Sequence, residues 1–152
     1  MNNNKTVFFI LGTLQIILGI FMVFPIIIQL IYKELNTAFI SSSLITIVIG
    51  MLFLLSNLGH DKKINLQQAF LLTALSWISI AIFGALPFIF SELRLSFIDA
   101  FFESMSGITT TGSTIITNLN ETSKAILLWR GMLQWFGGIG IIVMAITLMP
   151  IM

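Results

Sequence analysis

Six consecutive small residues, Thr109-Thr110-Thr111-Gly112-Ser113-Thr114, form the part of the chain best suited to ion chemistry. A potassium ion leaves water only when equivalent oxygens replace its hydration shell, and protein filters supply them from rings of backbone carbonyls. Such a backbone needs small side chains, a glycine where the dihedrals are unusual, and hydroxyls that bond locally. The Thr/Gly/Ser run meets each need, and no charged residue lies between Glu103 and Glu121. Two charged residues nearby qualify as support. Glu103 precedes the run and either holds the loop or attracts cations. Arg130 falls inside an apolar segment, where an ionisable side chain marks a site by default. It snorkels outward or pairs with Glu103 or with Glu121, and a cation in the path itself would repel potassium.

These residues need elements to position them. Of 152 residues, 57% are hydrophobic and 9% charged, against about 25% charged in soluble domains. The composition predicts an all-α integral membrane protein. A span is expected over 7–31, with Pro25 kinking its last third. A second is expected over 37–58, after the short loop from Tyr32 to Asn36. Together they make an N-terminal hairpin within residues 1–63, where Ser41-Ser42-Ser43 would let helices approach closely. A third span is expected over 66–90, with Pro87 loosening its last turn. Residues 96–106 are too few to cross and read as a half-length helix. Ser96 and Asp99 are placed as in a capping box, and Gly107 is suited to end the helix. The loop 108–114 follows, and a fourth span runs over 125–152. Residues 64–152 thus read as one M1–pore helix–M2 unit with a re-entrant filter loop, a geometry tolerated at membrane depth only where the loop is buried or lines a water-filled path. The half-helix would turn the negative end of its dipole toward a cation.

Several classes of function are disfavoured. A net charge of +1 gives no electrostatic case for nucleic acid. With no cysteine and one histidine, His60, thiolate and paired-histidine metal sites are excluded. Gly137-Gly138-Ile139-Gly140 lacks the third glycine spacing of a phosphate loop and reads as close helix packing. No paired carboxylates or activated nucleophile share a depth, so an enzyme is not expected. Trp129 reads as an interfacial anchor and Trp77 as a packing residue. Lys5, Lys62 and Lys63 fall on one side and Lys33, Arg94 and Lys124 on the other, so counting charges leaves the orientation open apart from the compact Lys62-Lys63 pair.

The segment Phe101-Phe102-Glu103-Ser104-Met105-Ser106-Gly107-Ile108-Thr109-Thr110-Thr111-Gly112 resembles the first pore loop of the Trk/Ktr/HKT potassium-transporter superfamily, specifically its bacterial Trk-type membrane subunits. The segment from Leu128 to Val143, Leu-Trp-Arg-Gly-Met-Leu-Gln-Trp-Phe-Gly-Gly-Ile-Gly-Ile-Ile-Val, resembles the helix that follows it there. The resemblance covers the whole chain, because Trk-type subunits carry an extra N-terminal hairpin. It implies potassium uptake across a bacterial inner membrane with a cytoplasmic N-terminus. It implies ion-binding carbonyls at Thr110, Thr111 and Gly112, with potassium held at Thr110 and Thr111. Thr109, Ser113, Glu103 and Arg130 are then filter support. Ser113-Thr114 stand where a potassium channel has a tyrosine and a second glycine, so selectivity is expected to be less stringent.

Four pore units make one path in that family. This chain therefore reads as a fragment carrying the first unit, or else four copies assemble. The expected partners are the remaining pore units, a second membrane subunit in a homodimer, a cytosolic nucleotide-binding regulatory subunit and the lipid bilayer. No cofactor is implied beyond the transported potassium. Family members are sometimes described as symporters, and no residue here identifies a coupling ion. The alternative reading is a small membrane scaffold or assembly protein without transport.

Overall fold

The computed structural model describes residues 4–34, 36–59 and 64–148. Expectations resting on His60, Lys62, Lys63, Pro150, Ile151 and Met152 lie outside these residues. Six helices follow in order: α1 (Lys5–Phe21), α2 (Val23–Ile31), α3 (Ala38–Ser56), α4 (Leu66–Phe90), α5 (Phe97–Ile108) and α6 (Lys124–Leu148). No strand occurs among the described residues.

The first span is two helices separated at Met22. Proline at position 25 has no amide to give the Phe21 carbonyl, and its ring crowds that carbonyl. The α-helical ladder accordingly stops at Phe21 and restarts at Val23, with Met22 still helical at φ −64° and ψ −11°. Pro87 acts differently. Helix α4 runs through it to Phe90, and the Pro87 carbonyl still accepts from Ser91 N at 3.0 Å, so the expected loosening of the last turn is not seen.

Small residues seat the hairpin. A Cβ on Gly12 would stand 2.6 Å from the Gly50 carbonyl oxygen, so only glycine lets α1 and α3 cross this closely. One turn pair further along, Ser43 Oγ donates to the Gly19 carbonyl at 2.7 Å, which makes the serine run a packing surface as expected. Gln15, fully buried on α1, donates from Nε2 to Ser79 Oγ on α4 at 2.6 Å and ties the hairpin to the rest of the bundle.

The hydrophobic core lies around α6, where side chains of α1, α3, α4 and α5 converge. It joins Leu18, Met22, Phe39, Phe88, Ala100, Ile126, Trp129 and Leu133. Trp129 is completely buried at its centre, with its ring edge-on to Phe39 and its Nε1 donating to the Gly84 carbonyl at 2.9 Å. The interfacial-anchor expectation for Trp129 is therefore corrected. The missing side chain of Gly84 serves a different neighbour: a Cβ there would stand 2.6 Å from Ser104 Oγ on the next helix.

Candidate ion filter

Helix α5 has 12 residues. At about 1.5 Å per residue it is roughly 18 Å long, well short of a hydrocarbon core of about 30 Å. Ser96 caps it, accepting from Asp99 N at 3.2 Å, while its hydroxyl donates to Asp99 Oδ2 at 2.8 Å. The helix runs two residues beyond the expected end. Gly107 does not terminate it and instead makes room for a neighbour: a Cβ there would stand 3.0 Å from Leu133 Cβ on α6. The left-handed residue that turns the chain is Thr110, at φ +58°. Ile108 is thus the last helical residue, and the irregular loop begins at Thr109.

The loop's amides point back into α5. Thr109 N donates to Met105 O, Thr110 N to Gly107 O, and both Thr111 N and Gly112 N to Ser106 O, at 2.9 to 3.3 Å. Beyond the turn, Ser106 Oγ donates to the Ser113 carbonyl at 2.6 Å. The carbonyls of Thr110, Thr111 and Gly112 accept no hydrogen bond among the described residues. Positive φ at Thr110 (+58°) and Gly112 (+78°) brackets Thr111. Alternating handedness turns successive amides to one side, the arrangement of a backbone nest. A β-branched residue at positive φ is uncommon and costs on the order of 1–3 kcal/mol, a kind of strain that clusters at functional sites. Thr109 Oγ1 bonds Met105 O at 2.8 Å and lies 2.9 Å from Thr111 Oγ1, so these hydroxyls stiffen the turn locally.

Glu103 holds the outgoing segment. Its side chain is fully buried, its oxygens accept from Thr114 Oγ1 at 2.9 and 3.0 Å, and Oε2 accepts from Ile115 N at 3.1 Å. Arg130 Nε on α6 completes the set at 2.5 Å from Oε1. Of the alternatives for Arg130, the structure adopts the pair with Glu103. A buried carboxylate is tolerated only when paired and hydrogen-bonded, and this one has both. Helix α6 can lie this close to α5 because of Gly137: a Cβ there would fall 1.8 Å from the Ile108 carbonyl oxygen. Gly138 and Gly140 have no heavy atom within 4 Å of a Cβ position, so close packing explains only one of the three glycines within this chain.

Two participants escaped the sequence reading. Gln134 Nε2 lies 3.6 Å from the Cβ position of Gly112, one helical turn below Arg130. Glu34, from the loop after α2, accepts from Ser123 Oγ at 2.5 Å and from Lys124 N at 2.8 Å, at the start of α6. A signal for Gln134 existed in its spacing from Arg130. Glu34 carried none, because its partners are about 90 residues away.

Four helical segments, Lys5–Tyr32, Ala38–Ser56, Leu66–Phe90 and Lys124–Ile142, are long and apolar enough to cross a membrane. With α5 too short to cross and an irregular loop behind it, they define a multi-pass membrane protein built around a re-entrant pore-loop unit. The chain belongs to the TrkH family of cation transport proteins, whose pattern matches residues 35–152. It is 41% identical over 145 residues to the Trk system potassium uptake protein TrkH of Escherichia coli, an alignment covering 94% of this chain and 30% of that protein. Against TrkH of Vibrio parahaemolyticus it is 35% identical over 150 residues, covering 97% and 31%. The crystal structure of the potassium transporter TrkH from Vibrio parahaemolyticus superposes with a TM-score of 0.91 over 99% of this chain and 32% of that one. The chain therefore spans about 30% of the length of these relatives.

Proposed function

We propose that this chain contributes one pore unit to a potassium uptake pathway, passing the dehydrated ion along the carbonyls of Thr110, Thr111 and Gly112. The observation that carries the reading is the division of labour in the loop. Its amides are tied to α5 and its outgoing segment to Glu103, while the three carbonyls accept no hydrogen bond among the described residues. Carbonyls so arranged replace water around a cation without moving, which is the requirement of a filter. The C-terminal end of α5, where the helix dipole is negative, directly precedes them. The names of the similar proteins support potassium as the ion.

One such loop supplies a quarter of a fourfold ring, so three further pore units complete the path. The resemblance to Trk-type subunits supports the wider assembly: a bacterial inner membrane, a cytoplasmic N-terminus, a paired membrane subunit and a cytosolic nucleotide-binding regulatory partner. Thr109, Ser113, Glu103 and Arg130 are assigned as filter support, on the hydrogen bonds and ion pair above. The ion's gradient and the membrane potential drive it, and no coupling ion is assigned. Expression of the transporter in an uptake-deficient strain tests this. Growth on limiting potassium that is lost with Gly112→Ala supports the reading, and growth indifferent to the loop contradicts it.

A further inference from the structure

The N-terminal hairpin has no residue in the filter, yet it grips the element that holds the filter. The loop between α2 and α3 holds Glu34 by both of its own backbone groups: Glu34 N donates to Gln29 O, and Glu34 O accepts from Asn36 N, each at 2.9 Å. From this anchored backbone the carboxylate reaches Ser123 Oγ and Lys124 N. These are the cap and first residue of α6, where an anion also meets the positive end of the helix dipole. A second hairpin residue, Phe39 in the first turn of α3, seats edge-on against Trp129 with ring centroids 6.0 Å apart. The hairpin thus fixes α6 at its first residue and again at the residue next to Arg130. From Lys124 to Arg130 is about 9 Å along the helix axis. Arg130 pairs with Glu103, and Glu103 binds Thr114 and Ile115 at the exit of the loop. The loop's outgoing chain itself returns to Ser123, so both ends of the segment 114–123 are held by carboxylates.

We infer that Glu34 is a positioning residue for the filter: by clasping the start of α6 it sets the height and rotation at which Arg130 meets Glu103, and so the spacing of the Thr110–Gly112 carbonyls. This rests on the pore-loop function proposed above. The hairpin is then part of the selectivity apparatus, acting through one carboxylate and one rigid helix, and is more than a lipid-facing appendage.

The test uses the complete transporter in proteoliposomes, comparing Glu34→Ala and Ser123→Ala with the parent at matched amounts of inserted protein. The readouts are potassium-over-sodium selectivity and the KM for potassium, which a loss of folded protein alone does not move. Glu34→Ala is expected to lower selectivity roughly 3- to 10-fold, the scale of coupling carried through packed elements. Ser123→Ala, which removes one of the two bonds, should lower it less and in the same direction. Adding Ser123→Ala to Glu34→Ala should change little further. Selectivity and KM equal to the parent in both single variants overturn the inference, as does a loss confined to the amount of inserted protein. Should Glu34→Ala fail to insert, Ser123→Ala alone decides: a selectivity shift supports the clasp and none overturns it. A parent without potassium selectivity overturns the underlying reading, and this one with it.

Discussion

Arg130 on α6 and Glu103 on α5 form an ion pair with Nε 2.5 Å from Oε1, and the same carboxylate binds Thr114 and Ile115 at the exit of the loop. One buried anion thus joins two helices and an irregular segment that local propensity alone would not hold together. Removing either partner strands a charge, at a cost of about 3–5 kcal/mol, whereas removing both leaves no uncompensated ion. Glu103→Gln and Arg130→Gln should each lower the thermal stability of the assembled transporter and its uptake, and the double variant should lose clearly less than the sum. Losses that add strictly in both readouts would argue against the pair.

Gly112 has room for a side chain, since the nearest atom to its Cβ position is Gln134 Nε2 at 3.6 Å, but its φ is +78°. The barrier to substitution is conformational, on the order of 1–2 kcal/mol. Gly112→Ala is therefore expected to leave the transporter folded and inserted while its potassium-over-sodium selectivity falls. Retained selectivity by flux assay would show that this backbone geometry is not what recognises the ion.

At Gly137 the obstacle is steric. A methyl group 1.8 Å from the Ile108 carbonyl oxygen cannot be accommodated without shifting α5 against α6. Both contacting groups are backbone, so no side-chain rotation relieves it. Gly137→Ala should reduce the recovery of folded protein in detergent and abolish uptake. Wild-type melting behaviour for this variant would contradict the helix spacing described.

Trp129→Phe separates stability from transport. It removes the bond from Nε1 to the buried Gly84 carbonyl and part of the core around Phe39, Phe88 and Leu133. The Gly84 carbonyl keeps its place in the α4 ladder, so the lost bond costs about 0.5–1.5 kcal/mol. A phenyl ring keeps the edge-on contact with Phe39 that seats α6, so a lowered melting temperature with unchanged ion selectivity is expected. Altered selectivity at wild-type stability would place Trp129 in the filter apparatus instead.

Much of this arrangement was legible from residue types because it is local. Long apolar runs specify the spans, Pro25 specifies the break, and Ser96 with Asp99 specifies where α5 begins. Glu103 and Arg130 stood out as the charges nearest an uncharged loop. What was not legible depends on distant neighbours. Gly107 looks like a helix stop, but Leu133 claims the space its side chain would fill, and the turn falls on Thr110. Trp129 looks interfacial until the Gly84 carbonyl is seen beside it. Glu34 reads as an ordinary loop acid because its partners at Ser123 and Lys124 lie on another element.

The central claim is that the carbonyls of Thr110, Thr111 and Gly112 take the place of water around the transported ion. Anomalous diffraction from crystals of the complete transporter grown with rubidium in place of potassium tests it most directly. An anomalous peak is expected on the pore axis within coordination distance of the Thr110 and Thr111 carbonyl oxygens, weakened in Gly112→Ala. A peak elsewhere on the pathway, with none beside these carbonyls, would contradict it.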